Sequence, residues 1–131
     1  MKNSIICTTS EVRALLDGSK TEFHVPLKPQ PLDVLPMKWQ NYWRKLYADG
    51  SVGITNAPYV SGQVIKVREA WQQDTGLAGN KVYYKSDGLS RSWRSAATMP
   101  LWASRLSLLV LDVQVSKLDL WKFVVKVEVM K

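Results

Sequence analysis

The chain has 131 residues, a net charge of +7 and a pI near 9.6, with 46% hydrophobic and 22% charged residues. That length suits one domain, residues 1–131, with a core of its own, and that composition excludes a disordered chain. No apolar run approaches the about 20 residues of a membrane span, and one cysteine with one histidine gives no disulfide and no zinc motif.

The N-terminus lacks the long apolar core and cleavage site of a secretory signal, so a reducing cytoplasm is the expected home. Residues 4–8 (SIICT) read as a short first strand. Thr9 and Ser10 offer an N-cap. Val12, Leu15 and Leu16 then recur at helical spacing and Gly18 stops the run, so residues 10–17 read as an amphipathic helix. Residues 21–25 fit a short strand. Pro26, Pro29, Pro31 and Pro36 argue against regular structure between them.

Residues 37–56 carry two patterns. Trp39, Trp43, Leu46 and Tyr47 have helical spacing, whereas Trp43, Lys45 and Tyr47 alternate, Asp49-Gly50 is a turn signal, and Val52 and Ile54 alternate after it. The turn favours a hairpin. A clearer strand follows Gly62, with Val64, Lys66 and Arg68 on one face and Ile65, Val67 and Glu69 on the other. Residues 75–80 read as a Gly-containing loop, 82–85 as a strand, Ser86-Asp87-Gly88 as a turn, and 90–98 as irregular.

Residues 106–115 form the most apolar run and read as a central strand. The stretch before it, MPLWASR at 99–105, reads as a fixed loop with an aromatic plate, a hydroxyl and a guanidinium. In residues 121–130, Phe123, Val125, Val127 and Val129 alternate with Lys122, Val124, Lys126 and Glu128, a half-buried strand whose edge would be open to pairing with a second copy. One short helix against five to seven strands predicts an α+β, mainly β chain, folded as a small, mostly antiparallel barrel.

Three blocks in order resemble a known group: VRALLDGSKT with KPQP after it, GQVIKVREAW with Tyr83-Tyr84 some way after, and Trp93 to Val113, which contains MPLWASR and the strand after it. Together they resemble the phage- and prophage-encoded branch of ASCH-domain proteins in the PUA-like superfamily. The resemblance implies a small β-barrel with one or two short helices and a cleft for RNA or a nucleotide. Some members are amidohydrolases of acetylated cytidine, with a Gly-x-Lys-x-x-Thr pattern and a distant Glu. Gly18 and Lys20 match that pattern, but Phe23 stands where the Thr belongs, so the resemblance carries the fold further than the catalysis.

A basic chain with six Trp and five Tyr suits a polyanionic ligand whose bases stack on aromatic rings. Lys20 and Glu69 are the catalytic candidates, as base and acid/base partner, if the chain is a hydrolase of a modified nucleoside. Lys20, Arg68, Glu69, Trp71, Arg94, Trp102, Ser104 and Arg105 are the candidates for holding RNA or a nucleotide, with Arg91 a further phosphate candidate. Trp39 and Trp43 beside Lys38, Arg44 and Lys45 would add a basic-aromatic patch if exposed. Cys7 reads as a small core residue and His24 as a surface or structural one. No cofactor, metal or membrane is implied. A third reading is a phage accessory protein that acts through a protein partner.

Overall fold

The computed structural model describes residues 2–36, 42–74, 81–117 and 119–130. In chain order it contains strand β1 (Ser4–Ile6), helix α1 (Thr9–Asp17), β2 (Glu22–Pro26), β3 (Asp33–Pro36), β4 (Tyr42–Leu46), β5 (Val52–Asn56), β6 (Val64–Arg68), β7 (Trp71–Asp74), β8 (Lys81–Tyr84), β9 (Ser107–Lys117) and β10 (Trp121–Val129). Three short 3-10 turns, Lys85–Asp87, Ala96–Thr98 and Leu101–Ala103, separate β8 from β9. The protein is therefore mainly β with one α-helix among the described residues. Five strands form a sheet in the order β1-β6-β9-β10-β2, three form β3-β4-β5, and β7 pairs with β8. None of these sheets closes into a barrel. No described helix is long and apolar enough to cross a membrane.

The chain divides into two compact units, residues 22–63 with 110–128, and residues 2–21 with 64–109 and 129–131. In the first, β2 pairs antiparallel with β10, from Lys122 opposite Pro26 to Lys126 opposite Glu22. Leu27, Val34, Ala57 and Phe123 are buried together, and Trp43 meets Phe123 edge-on at 5.1 Å. Trp43 is thus a packing residue rather than part of an exposed patch. Trp39 and Lys38 lie outside the described residues, as does the loop 75–80. The expected hairpin is present in β4 and β5, with Gly50 at φ +85° in its turn and a Gly50 N–H to Tyr47 carbonyl bond.

Two expectations for this unit are corrected. Pro26 to Pro36 is not wholly irregular, because β3 forms there. Pro36 sits at its last position, where a missing N–H costs the ladder least, and Val34 is buried. The strand 121–130 is not a sheet edge either. β10 lies between β9 and β2, so its alternation is that of an internal strand with one buried face.

In the second unit β1 runs parallel to β6, and β6 antiparallel to β9. Ile65 and Val67 are fully buried on the face the alternation marks for the interior. Helix α1 starts one residue earlier than its apolar spacing indicates. Thr8, not Thr9 or Ser10, is the N-cap: its Oγ accepts from the Glu11 N–H at 3.2 Å while the Thr8 N–H donates to Glu11 Oε1 at 2.9 Å, a capping box. Val12 and Leu15 face the core, whereas Leu16 is exposed. Gly18, at φ +85°, ends the helix in the left-handed conformation.

Candidate functional site

Glu69 follows β6 on the same side as Ile65 and Val67, so strand periodicity carries a carboxylate into an apolar interior. Its side chain is 1% exposed. Burying an ionised carboxylate costs several kcal/mol unless its oxygens are fully engaged. Here they are. Arg105, in the loop before β9, donates from Nε to Glu69 Oε2 at 3.3 Å and from Nη2 to Oε1 at 3.2 Å. Ser86 Oγ donates to Oε1 at 3.0 Å.

The Arg105 guanidinium is itself saturated. Nη2 also donates to Ser86 Oγ at 2.6 Å and Nη1 to Asp87 Oδ1 at 3.0 Å. Its face lies 4.2 Å from the centre of the Tyr84 ring. Burial opposes the Arg105 charge, but its hydrogen bonds and ion pairs with Glu69 and Asp87 outweigh this and hold its pKa above the usual value. Tyr84 donates to the Ala103 carbonyl at 2.7 Å, and burial pushes its phenol pKa up. Two carboxylates around one guanidinium leave this cluster with a net charge of −1, so Arg105 already has anionic partners.

The MPLWASR loop is rigid for identifiable reasons. Met99 and Ala103 are buried against Trp71, and Ser104 Oγ bonds the Val67 carbonyl at 2.7 Å and the Leu106 carbonyl at 3.1 Å. Trp102 projects from this anchored turn with 66% of its surface exposed. Trp71 is buried, with its indole N–H donating to Thr98 Oγ1 at 3.1 Å. Arg94 exchanges backbone hydrogen bonds with Trp71, and its guanidinium sits 5.1 Å from the Trp71 ring centre. Arg68 donates from Nη1 to the Ala97 carbonyl at 3.4 Å, while its buried Nε has no hydrogen-bond partner. Arg91, by contrast, is bound by Asp74 at 2.9 Å and lies 3.7 Å from the Tyr83 ring centre.

Lys20 Nζ lies 3.7 Å from Glu11 Oε2. Burial, the charge of Glu11 and that of Glu69 raise the Cys7 thiol pKa to about 12, with Lys20 opposing them. Cys7 itself is a core residue, as its apolar setting predicts. His24 Nε2 and Glu22 Oε1 meet at 2.8 Å on the surface of β2, and that hydrogen bond lowers the Glu22 carboxyl pKa. Among the described residues no group of three or more His, Cys, Asp or Glu could hold a metal ion.

All eight candidate residues belong to the second unit. Glu69 and Arg105 are brought into direct contact. Trp71 and Arg94 are joined to each other, and Ser104 is a loop staple. Sequence reasoning missed the contacts of Tyr84, Ser86 and Asp87 with Arg105, because they lie some 20 residues from it in the chain, Tyr84 within a strand pattern and Ser86 and Asp87 within a turn signal. The one signal pointing to them was the carboxylate on a buried strand face, which requires donors from elsewhere. No protein-family model, curated protein or solved structure matches this chain.

Proposed function

We infer that the chain is an RNA- or nucleotide-binding module, of the ASCH, PUA-like kind and of phage or prophage origin, working in the bacterial cytoplasm. The observation that carries this reading is an asymmetry of charge. The second unit holds 11 Lys and Arg against 5 Asp and Glu, a net +6, whereas the first holds 7 against 6, a net +1. Every acidic residue of the second unit is engaged within it: Glu11 by Lys20, Asp17 by the Ser19 N–H, Glu69 and Asp87 by Arg105, and Asp74 by Arg91. The positive excess is what that unit offers to a polyanion.

In this reading Arg68 and Arg94 meet phosphates, Lys20 stays paired with Glu11, and Trp102 is the plate on which a base stacks. Glu69 and Arg105 hold the wall that carries Trp102, with Trp71 and Ser104 fixing its shape. The hydrolase reading would use Lys20 and Glu69, whose charged groups are occupied by Glu11 and by Arg105 with Ser86. The binding reading leaves those contacts intact and is the better supported.

The test is fluorescence anisotropy of labelled single-stranded RNA at two salt concentrations. Affinity should fall steeply with salt, following release of counterions from the phosphates. No binding at low salt refutes the reading. Turnover of acetylated cytidine that is lost in Lys20→Ala would favour the hydrolase instead.

A further inference from the structure

The hairpin of β7 and β8 has one packed face and one open face. On the first, Trp71, Val82 and Tyr84 pack with Met99 and Ala103. The register sets Gln72 opposite Tyr83 and Asp74 opposite Lys81, so these four side chains share the second. Arg91 lies over this open face because the chain just after it is pinned to β7. Gln72 Nε2 donates to the Ser92 carbonyl at 3.0 Å, and Arg94 and Trp71 exchange backbone hydrogen bonds at 2.8 and 3.3 Å.

The Arg91 guanidinium is then fixed in two directions. Its Cζ lies 3.7 Å from the centre of the Tyr83 ring, the separation of two stacked planes. Nη1 donates to both oxygens of Asp74, at 2.9 and 3.0 Å. Tyr83 thus covers one face of the plane, while Asp74 occupies an edge and offsets the charge. The side chain still keeps 32% of its surface exposed, and with one face and one edge taken, that exposure falls to the opposite face. A guanidinium already matched by a carboxylate is a poor clamp for phosphate. Its flat face remains a plate, and unpaired bases stack on guanidinium planes as they do on aromatic rings. Lys81 brings its ammonium to 5.1 Å from the centre of the same Tyr83 ring, so a second cation stands beside the plate.

We propose that Arg91, stacked on Tyr83, is a second base-stacking station, separate from Trp102, with Lys81 as its phosphate contact. The proposal rests on the RNA-binding reading and narrows its ligand. Two stations suit an oligonucleotide with unpaired bases. A mononucleotide fills only one, and a duplex keeps its bases stacked on each other.

Fluorescence anisotropy of the full chain with labelled single-stranded RNA of about ten nucleotides tests this. Arg91→Lys keeps a cation for Asp74 and removes the plane. Affinity should fall about tenfold with the salt dependence unchanged, and the variant should keep the wild-type circular dichroism spectrum. Unchanged affinity overturns the station. A loss accompanied by a shallower salt slope makes Arg91 a phosphate contact and overturns it as well. Inorganic polyphosphate, which has charge but no bases, should bind wild type and Arg91→Lys alike, and a tenfold difference there overturns the stacking role. Lys81→Met should lower the salt slope by about one, and an unchanged slope rejects the Lys81 contact. If wild type binds no RNA, the binding reading itself fails. If RNA binds wild type and Arg91→Lys equally, only the second station fails.

Discussion

The two units of this protein handle charge in opposite ways. The second buries a carboxylate and surrounds it with a saturated polar network, Glu69 with Arg105, Ser86 and Asp87, while keeping a net +6. The first is close to neutral and, beside its core, leaves Leu35, Leu46, Val52 and Ile54 outside on β3, β4 and β5. A buried ion pair seldom stabilises more than a well-packed apolar replacement. Its use here is geometric: it ties the turn after β8 to the loop before β9, and so fixes the loop that carries Trp102. The apolar outer face has the reverse character. It contributes little to folding, because its side chains remain in water.

The largest expected effect breaks the network. Arg105→Met leaves Glu69 buried with only Ser86 as donor and should cost about 3 kcal/mol in urea unfolding at pH 7. Adding Glu69→Leu should recover most of that loss, since the orphaned charge is the source of the cost. Ile54→Lys in the first unit should stay within about 0.5 kcal/mol of wild type, as an exposed substitution. Equal costs for Arg105→Met and Ile54→Lys would erase the contrast between the units.

Next in size is Trp102→Ala. It should weaken RNA binding by about 1–3 kcal/mol without shifting the unfolding midpoint, whereas Tyr42→Ala on the other unit's face should leave RNA affinity unchanged. Titrations of both variants at one salt concentration check this.

Alkaline pH sharpens the comparison further. The Cys7 thiol has its pKa raised from 9.0 to about 12 in the folded state. Between these values the unfolded chain releases the proton and the folded chain keeps it, so stability falls as pH rises. The contribution is intact below pH 9.0 and amounts to a loss of about 1.4 kcal/mol by pH 10. Cys7→Ala should lack this extra loss when wild type and variant are unfolded at pH 7 and pH 10. Smaller again is Thr8→Ala, which removes the capping box of α1 and should cost about 1 kcal/mol by thermal unfolding.

Local patterns in the sequence determined most of the strands, the helix with its Gly18 stop, and the buried faces of β6 and β10. These follow from periodicity and from turn residues, which act over a few positions of chain. The short strand β3 escaped because Pro31 precedes it and Pro36 is its last residue, and the N-cap shifted because Thr8 pairs with Glu11 rather than with the apolar run. Alternation at Val52 and Ile54 marked a strand but not which side would be buried, since the other face of that sheet carries Val34 and Trp43. Only the tertiary structure decided that these residues face out, that β10 is internal, and that Glu69, Arg105, Ser86 and Asp87 meet. Each depends on which strands and loops pair across tens of residues. A carboxylate on a buried face announces that it needs donors, and the fold alone names them.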